Sequence, residues 1–211
     1  MKYIEKSIEP SSLSEWKAQD KMYKRKKAKW KRFGKPYKEK FTQVLIDEQG
    51  GICCYCEQKL KIDDCHLEHL LPQKLDTFSE SLFDYKNLLC SCQQVLKKGE
   101  PRHCGNSKGS WYDKDLLVSP LDRSCESKFN YNSDGTIEST DEASKQTIIH
   151  LQLAIDKLNS LRASAIEPFI IDPITFEEIS EEEAHLFAKE YLKQKDGKYN
   201  EFYTTIKYLF G

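Results

Sequence analysis

The sequence predicts an α+β fold: a turn-rich, cysteine-rich centre flanked by helices at both ends. Three observations predict it. Seven of the eight cysteines fall between Cys53 and Cys104. The stretches around 11–48 and 148–210 carry helical spacing, whereas the centre has few long periodic segments. The 211 residues are only 38% apolar and 32% charged, which leaves a lean hydrophobic core. A centre of that kind needs another source of cohesion, and clustered thiols can provide one through a metal.

At the N-terminal end, residues 11–32 contain neither Pro nor Gly, and a helix is expected there. Trp16, Tyr23 and Trp30 recur every seven residues, so they can share one face, with Leu13 a turn before Trp16. Tyr37 continues the spacing, but Gly34-Lys35-Pro36 ends the helix first. Docking of these aromatics on the domain core is favoured over direct stacking on nucleic acid. Phe41 to Glu48 reads as a short helix closed by Gly50-Gly51. Residues 127–137 hold an Asp134-Gly135 turn and predict a short hairpin. Ile148, Leu151, Ile155 and Leu158 step by three, four and three, predicting one helix that runs to about Ile166 before Pro168. Ser180 with Glu183 makes a capping box for a further helix, with Glu181–Glu183 in its first turn. Phe202 to Phe210 is apolar and is expected to pack back on the body. His150 and His185 read as surface or packing histidines.

Charge divides the chain more sharply than its net value of −1 suggests. Residues 1–45 carry +9, residues 46–125 carry −3 and residues 126–211 carry −7. The expected organisation follows the same cuts: a basic, aromatic helical arm over 1–45, a core over 46–125 and a helical region over 126–211. A basic arm on an acidic body suits a polyanion or an acidic partner surface. No apolar run is long enough to span a membrane, and no signal-peptide stretch opens the chain, so no membrane association and a cytoplasmic location are expected. In that compartment thiols stay reduced, and eight cysteines argue for metal rather than disulfides.

Cys53 and Cys56 form a Cys-x-x-Cys knuckle, a spacing that lets two thiolates face one zinc from a tight turn. The second pair is irregular. Cys53, Cys56, Cys92 and Cys104 are the expected structural Zn²⁺ ligands, with Cys90 competing for the third position. Cys54, Cys65 and Cys125 read as small buried hydrophobes. A redox Cys-x-x-Cys is disfavoured because no βαβ pattern surrounds it.

Between the cysteine pairs lie His66, Glu68 and His69, with Asn87 further on. In an extended segment His66 and Glu68 point to one face and His69 to the other, unless a local twist brings them together. A neutral imidazole is a suitable base for activating water, and Glu68 offers a hard oxygen to Mg²⁺ or Mn²⁺. Asn87 can order a loop or hold the base in place. Such residues suit metal-assisted hydrolysis of a phosphodiester.

At these residues the chain resembles the HNH endonucleases, whose core is a ββα-metal fold with flanking zinc cysteines. The shared features are Cys53/Cys56, Glu68-His69 with Pro72, Asn87-Leu88, Cys92, and Cys104 followed by Lys108. CCYCE, HLEH and HCGNSK resemble most sharply the HNH component, PtuB, of Septu-type anti-phage systems, also found with retrons. The resemblance implies His69 as general base, Glu68 as ligand of the catalytic cation, Asn87 as the middle asparagine and DNA as substrate. It also implies an ABC-type ATPase partner (PtuA-like), which the basic arm could dock, and likeness over most of the chain. One departure stands out: Gly105 follows the last cysteine where the family has a histidine. His66, His103 and Asn106 compete for that role, and Lys108 could touch a phosphate or simply be solvated. The competing expectation is a zinc-stabilised nucleic-acid-binding or ATPase-adaptor protein without cleavage.

Overall fold

The computed structural model describes residues 1–25, 28–73 and 81–211. Helix α1 (Ser11–Gln19) packs against α3 (Tyr37–Glu48), and α3 in turn packs on strand β2 (Leu88–Cys92). Strand β1 (Cys65–His69) pairs antiparallel with β2, with Cys65 opposite Cys92 and His69 opposite Leu88. The chain then reaches a four-residue helix, α4 (Gly105–Lys108). A second two-stranded hairpin joins β3 (Asn130–Tyr131) and β4 (Ile137–Glu138), as the Asp134-Gly135 turn predicts. Helices α5 (Glu142–His150), α6 (Asp156–Ile166), α7 (Glu181–Tyr191) and α8 (Tyr203–Phe210) complete the chain. Among the described residues no helix is long and apolar enough to cross a membrane.

Two long helices expected from periodicity are broken, and each break has a local cause. The expected 11–32 helix stops after α1 at Asp20, which is extended. Asp20 restarts the chain as α2 (Lys21–Lys24) by accepting from the Tyr23 amide at 2.7 Å, and Arg32 clamps the same carboxylate at 2.8 Å. A short 3₁₀ turn follows at Trp30–Arg32; residues 26–27 of the stretch lie outside the described residues. The seven-residue aromatics still converge. Trp16 lies 5.1 Å from Phe33 and 4.7 Å from Phe83 between ring centres, and Trp30 lies 5.4 Å from Phe83. Trp16 and Phe33 are buried, so this face is spent on the core.

The expected 148–166 helix divides into α5 and α6. The five residues between them free main-chain groups for other partners. The Leu151 carbonyl accepts from the Cys104 amide at 2.8 Å, and the Leu153 carbonyl accepts from the Arg162 guanidinium. Leu151 and Leu153 are buried at the same time, so periodicity alone reads through the break. The capping box is present, with Ser180 Oγ accepting from Glu183 N and the Glu183 carboxylate accepting from Ser180 N.

The main core unites residues from Met1 to Leu158, and β1 and β2 run through it. Leu88 and Leu89 are fully buried on β2. The outer edge of β2 is closed by the side chain of Gln49, just past α3. Gln49 Oε1 accepts from Cys90 N at 2.6 Å, and its Nε2 donates to Cys90 O and Ile52 O, both at 2.9 Å. Removing that amide strands buried peptide groups, at a cost of about 1–3 kcal/mol each. Gln49→Ala should therefore lower stability by at least about 2 kcal/mol in urea unfolding. A loss under about 0.5 kcal/mol would show that Gln49 does not close the sheet edge.

Candidate active site

The loop 52–59 folds back on itself, with Ile52 bridging Lys59, Cys53 N donating to Gln58 O at 2.8 Å and Glu57 N to Cys53 O at 3.1 Å. This turn presents Cys53 and Cys56 side by side. Cys92 ends β2 and Cys104 precedes α4, and the sulfurs of all four cysteines lie within 4.8 Å of one another. All four are buried. A tetrahedral zinc with Zn–S bonds of about 2.3 Å sets its sulfurs about 3.8 Å apart. Cys56 Sγ and Cys92 Sγ are 3.7 Å apart. The donor set and its spacing therefore fit a metal ion such as zinc.

Burial works against a thiolate at Cys53, but the thiols of Cys104, Cys54, Cys56 and Cys92 converge on it and hold it well below the usual thiol range. Burial pushes Cys104 up instead. The thiols of Cys56 and Cys92 are raised too, so the cluster would lose all its protons only to a cation that takes up the charge. Cys104 has φ 55°, an uncommon left-handed conformation for a non-glycine residue, held by its amide bond to Leu151. Cys90 is not part of the group. Its thiol faces the Thr42 carbonyl at 3.7 Å, under α3. Cys54, Cys65 and Cys125 are buried outside it.

Strand alternation divides the second constellation. His66 and Glu68 share the face of β1 that looks onto α4. Glu68 is buried; its Oε1 accepts from Lys108 Nζ at 2.9 Å and from the Tyr55 hydroxyl at 3.1 Å. Its Oε2 faces His66 Nε2 at 3.5 Å. Burial alone would raise the Glu68 pKa, but His66 and Lys108 outweigh it and hold the carboxyl below its usual range, so it stays ionised near neutral pH. Oε1 is saturated, whereas Oε2 and His66 Nε2 form an O,N pair that a hard cation can share with water.

Gly105 explains the missing histidine. A Cβ added there would land on Glu68 Oε2 and lie 2.6 Å from His66 Nε2. The space a side chain from α4 would take is filled by His66 from β1. His103 and Asn106 lie elsewhere. His103 Nδ1 sits 3.1 Å from Cys104 Sγ and 3.8 Å from Cys92 Sγ, beside the sulfurs, with burial pushing its pKa down to about 4. Asn106 donates to the Gln93 carbonyl at 2.5 Å.

His69 looks out of the opposite face. Its Nε2 is 3.0 Å from the Leu82 carbonyl, so Nε2 carries the proton and Nδ1 carries the lone pair. Gln73 Nε2 sits 3.0 Å from that Nδ1, and the Trp30 ring meets the imidazole edge-on at 4.4 Å. The ring is only 5% exposed, and burial pushes its pKa down to about 4, so it is neutral at physiological pH. Asn87 makes no hydrogen bond to it. Asn87 Oδ1 accepts from Leu71 N at 2.6 Å, and its Nδ2 donates to Leu71 O and Ser81 O. It pins the loop leaving β1. The two faces meet at Lys108, which donates to His69 O at 2.9 Å as well as to Glu68.

Lys108 corrects the solvated alternative: its side chain is buried and ion-paired. Tyr55, Gln73 and Ser91, whose hydroxyl accepts from Gly105 N at 3.1 Å, carry no role in the sequence reading, and Trp30 is expected there only on a core-docking face. Tyr55 lies inside the CCYCE motif, and a buried tyrosine needs a partner for its hydroxyl, so a signal was there.

No family model matches this chain. Among curated proteins it is similar to "Retron Vc95 putative HNH endonuclease" of Vibrio cholerae serotype O1 biovar El Tor, 32% identical over 111 residues. That likeness supports an HNH endonuclease family. It covers 52% of each protein, so the chain spans about half the length of the curated relative it matches, less than the expected likeness over most of the chain.

Two outcomes test the site. Cys56→Ser should drop the metal content of purified protein from about one equivalent to a small fraction and destabilise it by several kcal/mol, measured by mass spectrometry and calorimetry. Gly105→Ala should retain the cysteine-bound metal while lowering the melting temperature, because the added methyl displaces Glu68 or His66. Unchanged melting of Gly105→Ala would overturn the close approach at α4.

Proposed function

We propose that this chain is a metal-dependent HNH endonuclease that hydrolyses DNA and serves as an effector of anti-phage defence. One observation carries the nuclease reading: Glu68, His66 and Lys108 converge over Gly105, while the next residue, His69, offers a neutral imidazole at the end of the same strand. The β1–β2 pair followed by α4 supports a ββα-metal core. In this reading Cys53, Cys56, Cys92 and Cys104 hold structural Zn²⁺, and Glu68 with His66 holds Mg²⁺ or Mn²⁺. That catalytic cation supplies positive charge to the phosphate and the leaving oxygen.

The chain's own residues do the rest. His69 accepts the proton of the attacking water at Nδ1, because Nε2 is committed to the Leu82 carbonyl. Gln73 must leave Nδ1 for that transfer to occur. Asn87 fixes the loop after β1, and Lys108 keeps Glu68 ionised and anchors the His69 peptide. Exposed Lys29 and Lys31 flank the Trp30 that covers His69, which suits contacts to the DNA backbone without sequence preference.

The defence role and an ABC-type ATPase partner (PtuA-like) rest on the resemblance of CCYCE, HLEH and HCGNSK to the Septu HNH component. A cytoplasmic location belongs to the same reading. The second reading, a zinc-stabilised nucleic-acid-binding or ATPase-adaptor protein without cleavage, is favoured by one observation: His69 is nearly buried, with partners at both ring nitrogens.

Plasmid cleavage with Mg²⁺ or Mn²⁺, with and without the neighbouring ATPase, separates the two. His69→Ala should lose cleavage at least ~100-fold while retaining its zinc and DNA affinity. A wild-type chain that binds DNA but never cuts it under any of these conditions would establish the second reading.

A further inference from the structure

The C-terminal region builds a small core of its own and leaves a large apolar surface beside it. Ile166, Phe169, Ala188 and Ile206 are buried together, with Tyr191, Leu209 and Phe210 packed around them. Phe169 stacks on Phe210 with ring centres 5.2 Å apart. The loop between α6 and α7 then projects a tight turn. Asp172 Oδ1 accepts from Ile174 N at 2.7 Å and from Thr175 N at 2.9 Å, and Phe176 N returns to Asp172 O at 2.9 Å.

This turn holds its apolar side chains out into water. Ile174 is 84% exposed and Phe176 81%, and Phe176 has φ 60°. A left-handed conformation is unfavourable for a bulky residue, and here no burial within the chain offsets it. On α7, Leu186 and Phe187 are exposed as well, as are Ile170 and Ile171 at the base of the turn. Elsewhere exposed hydrophobics such as Ile8, Ile62 and Val95 are well separated in sequence. A cleft of about 460 Å³ lies between turn and helix, lined by Phe169, Ile174, Phe187 and Tyr191, with Glu190 and Lys195 among its charged groups. A patch of this kind marks an interaction surface.

Its charge specifies the occupant. Residues 167–200, which bound the cleft, hold nine acidic side chains and four lysines, a net −5 in a chain whose total is −1. DNA is repelled by such a surface. A second copy of this chain has a basic arm to offer, but Trp16 and Phe33, the large aromatics of that arm, are buried in its own core. We infer that the turn at 172–176, the exposed face of α7 and the cleft between them form a docking groove for a cationic, amphipathic helix of a partner protein. Apolar anchors would enter the cleft while lysines or arginines meet the surrounding carboxylates, the pattern of helix-in-groove recognition.

The test uses the full chain and a labelled 18-residue Leu/Lys amphipathic peptide, followed by anisotropy at low and high salt. Its Leu/Glu counterpart is the control. Two double variants map the surface: Ile174→Ser with Phe176→Asn, since asparagine tolerates the left-handed turn, and Glu181→Lys with Glu182→Lys. The Leu/Lys peptide should bind and the Leu/Glu peptide should not. Each variant should weaken binding at least tenfold; the Ile174→Ser/Phe176→Asn variant should do so without lowering the melting temperature, and the charge variant should also flatten the salt dependence. Equal binding of both peptides, or binding unchanged in both variants, would overturn the proposal. So would sedimentation showing a dimer of the wild-type chain that the Ile174→Ser/Phe176→Asn variant abolishes, because the groove would then serve a second copy.

Discussion

Three segments of this chain meet at the buried sulfurs of Cys53, Cys56, Cys92 and Cys104, and much of the surrounding architecture is arranged to bring them there. The turn 52–59 contributes two thiols, the end of β2 one, and the residue before α4 the last. No long helix or wide sheet joins these segments, since β1–β2 is two-stranded and α4 is a single turn. The strained backbone of Cys104 is tied to Leu151, in the gap between α5 and α6, so the C-terminal helices also report on the cluster. A lean core and a cluster able to hold a metal are two aspects of one solution to the cost of ordering a turn-rich chain.

From that anchor the candidate catalytic residues follow by geometry. Fixing Cys104 fixes the start of α4, which sets Gly105 under the Glu68–His66 pair and carries Lys108 to Glu68. Lys108 spans the two faces of β1, pairing with the Glu68 side chain and holding the His69 carbonyl. A buried carboxylate is tolerated here because a buried ammonium, a tyrosine hydroxyl and an imidazole surround it. His69 sits in drier, aromatic surroundings under Trp30, where a neutral ring is the stable form.

The candidate residues were largely legible, because metal ligation imposes short, regular spacings. Cys-x-x-Cys and His-x-Glu-His place their side chains by local geometry alone, through a tight turn and a two-residue strand repeat. Cys92 is preferred to Cys90 already in the sequence, and the competition ends because α3 lies over the middle of β2 and takes the Cys90 thiol out of the cluster. The helix breaks at Asp20 and at 151–155 were not legible. In both places apolar residues keep a helical rhythm while the main chain is diverted to a capping carboxylate or to Cys104.

By itself the sequence determined the α+β class, the zinc-like cysteine spacing, the candidate base and the candidate metal ligand, and the separation of a basic arm from an acidic C-terminal region. Tertiary structure alone decided that Lys108 is buried against Glu68, that His66 fills the space above Gly105, and that Trp30 and Gln73 cover His69. The reason is range. Ligand spacing is written within a few residues, whereas the partner of a buried charge or the cover of an imidazole comes from segments tens of residues away, brought together only by packing.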